Sequence, residues 1–160
     1  MTLAKELGYL KPIASREHEA VLNVLMTAGM MTREGDRILR PFGMTGAQLN
    51  VLILLGYQAH QGCMTQSDLA DKLLVNRSNV TGLVDRMQRA GWVERIPDPQ
   101  DRRVNLLRLT TKGRGILEKV EPVYFERIHS VMNCITPNEQ KELCTMLERV
   151  RAEIRGGLEQ

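Results

Sequence analysis

The clearest structural signal in the chain lies in residues 76–89, which read NRSNVTGLVDRMQR. The apolar side chains follow helical spacing and share one face, formed by Val80, Leu83, Val84 and Met87. Asn76 is the expected N-cap. The opposite side presents short hydrogen-bonding and cationic side chains, which are Arg77, Ser78, Asn79, Thr81, Asp85, Arg86 and Arg89. The pattern predicts a helix with one buried face and one polar, basic face.

A helix face of this kind is suited to duplex DNA. A helix in the major groove meets base edges with its N-terminal residues, and its cations meet phosphates on the groove walls. Arginine can also pair bidentately with guanine, and asparagine with adenine. We therefore expect base or nearby backbone contacts from Arg77, Ser78, Asn79 and Thr81, and mainly phosphate contacts from Arg86.

The elements on either side of this helix predict a winged helix-turn-helix. A capping box at Thr65 starts a preceding helix over residues 66–74, and a short break at residues 75–76 joins the two helices. Downstream, residues 93–96 and 104–109 are extended stretches that flank the polar sequence PDPQDRR and predict a two-stranded hairpin. An arginine at its tip could enter a narrow minor groove, where A·T-rich sequence strengthens the negative potential.

Charge is distributed unevenly along the 160 residues. The whole chain is +3, but residues 76–114 hold nine basic and four acidic side chains and are +5, while the remainder is −2. A surface that faces a polyanion explains this asymmetry, and an arginine-rich solvated face explains it equally well. Because 42% of the residues are hydrophobic and only 4% are aromatic, the composition favours helices over a β-sandwich. We expect a mostly α fold.

The remaining helices are predicted from caps and periodicity. We expect them over residues 17–39, from Thr45 onward, over residues 111–134, and from Thr136 onward. The last helix carries an apolar stripe at helical spacing: Leu143, Met146, Leu147, Val150 and Ile154. This stripe supplies a reason for dimerisation, although packing within one subunit would also account for it.

Four segments in this order resemble the signature of the MarR family of bacterial winged helix-turn-helix regulators. They are residues 78–87, 91–95, 98–103 and 107–110. The resemblance implies a mostly α protein in which residues 45–112 form a DNA-binding lobe with a two-stranded β wing. It also implies that residues 1–44 contribute an N-terminal helix to the dimerisation region, and that residues 113–160 supply the C-terminal dimerisation helices.

The resemblance also assigns roles at the wing. It implies that Asp101 braces the wing through a salt bridge with Arg103, while Arg102 or Arg103 probes the minor groove. The family places its effector pocket between the dimerisation helices and the lobe, so residues around 18–30 are expected to line it, with no residue assigned a role.

These features predict a sequence-specific, double-stranded-DNA-binding transcriptional regulator, a repressor that binds a pseudopalindromic operator as a homodimer. Many members of the resembling family are released by small phenolic or other lipophilic ligands, which implies an effector of that kind. Two alternatives stay open: a thiol-based redox-sensing regulator, for which Cys63 lies in a loop, and a sequence-neutral architectural DNA-binding protein. Cys134 and Cys144 are expected to be buried.

Other classes of protein find little support in the sequence. There is no phosphate-binding loop, no G-x-S-x-G elbow and no H-E-x-x-H, so we expect no enzyme and no cofactor. His60 and Cys63 have an H-x-x-C spacing without a second Cys/His pair, so we expect no metal site. With no secretory signal and no long apolar run, we expect a cytoplasmic protein without a membrane partner.

Overall fold

A computed structural model describes residues 2–73, 79–101 and 103–158. The helices and strands, in chain order, are α1 (Leu3–Glu6), α2 (Arg16–Leu39), α3 (Gly46–Ile53), β1 (Cys63–Thr65), α4 (Gln66–Lys72), α5 (Val80–Arg89), β2 (Val93–Pro97), β3 (Asn105–Leu109), α6 (Thr111–Met132) and α7 (Pro137–Leu158). A 3-10 turn (Arg40–Phe42) follows α2, and a π-helical turn (Leu54–Gln58) extends α3. The fold is mostly helical, as predicted.

The predicted capping boxes start their helices. At α3 the Gln48 N–H donates to Thr45 Oγ1 at 3.4 Å, and the Thr45 N–H donates back to Gln48 Oε1 at 2.9 Å. At α7 the same exchange joins Thr136 and Glu139. The Asp68 N–H donates to Thr65 Oγ1 at the start of α4. The three predicted helix starts are confirmed. Each cap satisfies helix N–H groups that lack an intrahelical partner.

The sheet has three strands rather than the predicted two. Its order is β1-β3-β2 and both pairings are antiparallel, with Cys63 opposite Arg108 and Val93 opposite Leu109. The hairpin of β2 and β3 is confirmed, whereas β1 was missed. The third strand satisfies backbone groups on the second edge of β3, which a two-stranded ribbon would leave unpaired.

The apolar face of α5 lies in the core. Its four predicted core residues are between 0% and 4% exposed, and they are Val80, Leu83, Val84 and Met87. This helix contacts α3, α4 and β2. From the sheet, Val93, Leu107 and Leu109 are also buried. The hairpin is thus packed on the helices, as a two-stranded ribbon requires for stability.

The start of α6 is held tightly against the end of α5. A Cβ at Gly113 would lie only 1.9 Å from the carbonyl oxygen of Trp92, so only glycine fits there. The Thr110 hydroxyl accepts the Gly113 N–H at 3.0 Å and donates to the Gly91 carbonyl at 2.6 Å. The Lys112 ammonium donates to the Ala90 carbonyl at 2.7 Å. These contacts satisfy the carbonyls that the end of α5 leaves unpaired.

The chain divides into two compact units, Met1–Val120 and Glu121–Gln160. The boundary falls inside α6. The proposed lobe, residues 45–112, lies wholly in the first unit. In the described part of the chain no single helix is long and apolar enough to cross a membrane, although the bent pair Arg16–Phe42 and Gly46–Gln58 meets the criteria of length and composition.

Candidate nucleic-acid interface

The described site residues lie on α5 and on the loop between β2 and β3. Asn79, Thr81 and Arg86 are exposed on α5 or at its start, and Arg103 is exposed on the loop. Other predicted residues lie outside the described residues: the DNA contacts Arg77, Ser78 and Arg102, and the N-cap Asn76. Within the described range α5 begins at Val80, and Asn79 precedes it without a side-chain capping bond.

Thr81 is held by a residue that the sequence pattern did not indicate. Gln66, the first residue of α4, donates from Nε2 to Thr81 Oγ1 over 2.7 Å. Because this oxygen already accepts a hydrogen bond, the Thr81 hydroxyl hydrogen is left to donate. The group therefore suits an acceptor such as a base-edge oxygen or nitrogen, or a phosphate oxygen. The only sequence signal for Gln66 was its position as a polar residue directly after the Thr65 cap.

The loop between β2 and β3, residues 98–104, is closed by its own backbone and by two aspartates. The Asp98 N–H donates to the Val104 carbonyl at 2.9 Å, and the Val104 N–H donates to the Asp101 carbonyl at 2.9 Å. The Asp98 carboxylate accepts the Gln100 N–H at 2.8 Å. These bonds join the two sides of the loop, and none of those formed by the described residues uses a basic side chain.

Asp101 braces the wing tip differently from the way the family resemblance implies. Its Oδ1 accepts the backbone N–H of Arg103 at 2.9 Å, whereas no ion pair between the two side chains occurs among the described residues. The salt bridge is thus corrected to a side-chain-to-backbone bond. The reason is local, since an aspartate readily accepts the N–H two residues later in an Asx turn. The Arg103 guanidinium consequently stays exposed.

Several basic side chains of residues 76–114 form hydrogen bonds or ion pairs within the protein. Arg108 Nε donates to Glu94 Oε1 at 2.7 Å across the strands, and this hydrogen bond raises the pKa of Arg108. Arg95 contacts Asp85 at 2.7 Å, and Lys112 caps α5 as described above. The uneven charge of residues 76–114 therefore includes cations with structural partners as well as the exposed Arg86 and Arg103.

The thiols are more accessible than predicted. Cys134 and Cys144 are both exposed, so the expectation that they are buried is wrong. Cys63 is half-buried and lies on β1, not in a loop as expected. The described part of the second unit consists of the end of α6, a turn and α7, and two helices by themselves form too few layers to cover both sides of either one. An open cavity of about 690 Å³ lies in this unit, where Phe125, Ile128 and Met132 are among its lining residues.

Among the described residues no group of three or more His, Cys, Asp or Glu side chains is placed to hold a metal ion.

Residues 42–104 match the family model described as MarR family. Over 126 residues the chain is 32% identical to the multiple antibiotic resistance protein MarR of Escherichia coli, and the alignment covers 76% of this chain and 85% of that protein. It is 40% identical over 91 residues to the transcriptional activatory protein BadR of Rhodopseudomonas palustris. That alignment covers 57% of this chain and 52%, about half, of BadR.

Solved structures share the fold. AbsC, a MarR family transcriptional regulator from Streptomyces coelicolor, superposes with a TM-score of 0.82 at 25% identity, covering 91% of this chain and 99% of AbsC. A mutant MarR from Escherichia coli complexed with operator DNA superposes with a TM-score of 0.69 at 30% identity. This superposition covers 85% of this chain and 99% of the MarR chain.

Proposed function

This chain belongs to the MarR family, and from that premise we propose that it is a sequence-specific double-stranded-DNA-binding transcriptional regulator. It represses transcription by binding a pseudopalindromic operator as a homodimer. The observation that carries the proposal is that one compact unit holds both α5, with Thr81 and Arg86 exposed, and a wing with Arg103 exposed. These are the elements with which a winged helix-turn-helix meets both grooves of DNA.

In the proposed complex the N-terminal part of α5 and the residues before it read bases. Arg77, Ser78, Asn79 and Thr81 supply base or nearby backbone contacts, and Arg86 contacts phosphate. Arg102 or Arg103 enters the minor groove. The exposed polar positions of Thr81 and Arg86, on the side of α5 away from its buried residues, support this division.

The proposed homodimer is supported by an apolar stripe on α7. Leu143 is 38% exposed, Met146 54%, Val150 56% and Ile154 59%. The four residues follow i, i+3, i+7 and i+11 spacing and form one face of the helix. These exposures describe an apolar face of the second unit that a two-fold partner would cover. Two lobes related by that symmetry would read half-sites about one helical turn, ~10 bp, apart.

The proposed effector is a small phenolic or other lipophilic molecule, a choice that rests on the family. Thiol oxidation is the second candidate signal, because Cys134 and Cys144 are exposed. Operator binding in the presence of a panel of phenols, and separately of peroxide followed by a reductant, distinguishes the two. Loss of binding with peroxide that a reductant reverses, and that Cys→Ser variants lack, would favour the redox mechanism. The proposed role is non-enzymatic and places the protein in the bacterial cytoplasm.

Selection of bound sequences from random DNA tests the proposed function. The expected product is a pseudopalindrome, bound with a steep salt dependence because each neutralised phosphate releases counterions. Competition between this operator and random DNA at fixed salt then measures the specificity ratio. Equal affinity for both would favour an architectural DNA-binding protein, and affinity that does not change with salt would contradict binding to DNA through cations.

A further inference from the structure

Arg95 occupies a core-facing position of the sheet. Side chains alternate between the two faces along β2, so Arg95 shares a face with Val93. The strand register places Arg95 opposite Leu107 and Val93 opposite Leu109, and all three of these neighbours are buried. The Arg95 side chain is itself only 24% exposed. A cation at such a position needs a partner to offset its loss of hydration.

The partners of Arg95 both lie on α5. Its Nη2 donates to Asp85 Oδ1 at 2.7 Å, and its Nη1 donates to Gln88 Oε1. Thr81, Asp85 and Gln88 follow i, i+4 and i+7 spacing and therefore lie along one line of the helix surface. Arg95 thus binds the same side of α5 that carries Thr81. At the other end of this line, Gln66 holds the Thr81 hydroxyl.

We propose that Arg95 is a positioning residue that fixes the angle between α5 and the wing through Asp85 and Gln88. The inference rests on the proposed DNA-binding function. Since a strand advances about 3.3 Å per residue, the loop that begins at Asp98 starts roughly 10 Å beyond Arg95. A rotation of the hairpin by about 10° at Arg95 would displace that point by nearly 2 Å over this length. Such a shift exceeds the tolerance of about 0.5 Å for a binding constellation, so it would weaken simultaneous contact of Arg103 and Thr81 with one DNA duplex.

A direct contact between Arg95 and a phosphate is the main competing role. In that case Asp85 would be only an acidic surface group near DNA, and removing its charge would tighten binding. The positioning role predicts weaker operator binding by Asp85→Asn, because the substitution weakens the contact that holds the Arg95 guanidinium. The effect of Asp85→Asn on operator affinity therefore separates the two roles by its direction.

The experiment compares full-length wild-type protein with Asp85→Asn, Arg95→Gln and the double variant. Affinity is measured for the selected operator and for random DNA. We expect each single variant to bind the operator at least fivefold more weakly, and the double variant to resemble the singles because both changes break one unit. We expect Asp85→Asn to bind random DNA at least as tightly as the wild type. A general loss of stability would lower both affinities together.

Two further variants control for folding and for charge. Gln88→Ala removes the neutral partner and should weaken operator binding in the same direction by a smaller factor. Glu94→Gln removes the acid of the neighbouring Arg108 pair, which joins β2 to β3 only, and should leave the specificity ratio unchanged. Circular dichroism and thermal unfolding report whether each variant is folded.

Each outcome decides the proposal. Wild-type or tighter operator binding by Asp85→Asn together with weak binding by Arg95→Gln assigns Arg95 to a phosphate and overturns the positioning role. Unchanged operator binding in both variants overturns it as well. If the wild-type protein shows no sequence preference, the proposed function fails first, and this result is distinct from a failure of the Arg95 contact alone.

Discussion

Replacing Arg103 by alanine separates DNA contact from wing stability. The bond that braces the tip runs from the Arg103 backbone N–H to Asp101 Oδ1 over 2.9 Å, and any residue at position 103 except proline retains it. The Arg103 side chain is exposed. We therefore expect the free energy of unfolding of Arg103→Ala to lie within about 0.5 kcal/mol of the wild-type value. A salt bridge to Asp101 would instead couple the side chain to the stability of the tip.

The expected loss is in DNA affinity. An arginine that reads DNA contributes about 1–3 kcal/mol, which is roughly a five- to 150-fold change in Kd for each wing engaged. Because a narrow A·T-rich minor groove attracts the guanidinium most strongly, Arg103→Ala should also reduce the preference for A·T pairs beneath the wing. Arg103→Lys should recover part of the affinity, since a lysine keeps the charge but not the planar fork.

Fluorescence anisotropy with a labelled operator, at several salt concentrations, measures these effects. Asp101→Ala is the matched variant, because it removes the brace and leaves Arg103 in place. It should lower stability by about 0.5–1.5 kcal/mol, the usual worth of one hydrogen bond, and weaken operator binding through a looser tip. Operator affinity unchanged by Arg103→Ala would show that Arg103 does not contact DNA. A stability loss in Arg103→Ala as large as that in Asp101→Ala would refute the backbone brace.

Three other predictions concern the helices. Gly113→Ala should destabilise the protein by about 3 kcal/mol or more in chemical denaturation, because its Cβ would lie 1.9 Å from the Trp92 carbonyl oxygen; Gly115→Ala, whose Cβ meets open space, should be neutral or stabilising. Hydrogen bonds from the capping threonine lower the pKa of Glu139, so its contribution is present above the ordinary pKa of 4.5 and lost as the pH falls through the folded value. The gap in melting temperature between wild type and Glu139→Gln should therefore shrink on acidification from pH 6 to 3, and a constant gap would contradict this linkage. Val150→Glu, at a residue 56% exposed, should give a folded monomer in equilibrium sedimentation, whereas a wild-type protein already monomeric at micromolar concentration would rule out the dimer.

The helix starts could be predicted because their causes are local. A capping box needs only two residues three positions apart, as at Thr45 and Thr136, and both form the expected reciprocal bonds. The buried face of α5 was equally predictable, because four apolar residues at helical spacing can be covered together on only one side. Burial of these residues then fixes which polar side chains face outward, including Thr81 and Arg86.

Contacts between residues distant in sequence could not be predicted in the same way. The strand β1 is three residues long, too short for a clear alternation, and its partner β3 follows only after α4, α5 and β2. The contact between Arg95 and Asp85 depends on how β2 packs beside α5, which no local pattern specifies. The role of Asp101 was predicted as a brace, but its partner is a backbone group, and side-chain chemistry alone does not distinguish the two.

The partners of the cations change the meaning of the net charge. Residues 76–114 are +5, yet Arg95 and Arg108 each have an acidic partner within the protein. A cation with an acidic partner adds little to the field that a phosphate meets, whereas an exposed one releases a counterion when it binds. In the proposed complex the exposed cations Arg86 and Arg103 favour affinity, while Arg95 contributes geometry. We expect specificity to depend on that geometry, because the proposed base contacts from α5 and the proposed groove contact from the wing can form together only at one relative orientation of the two elements.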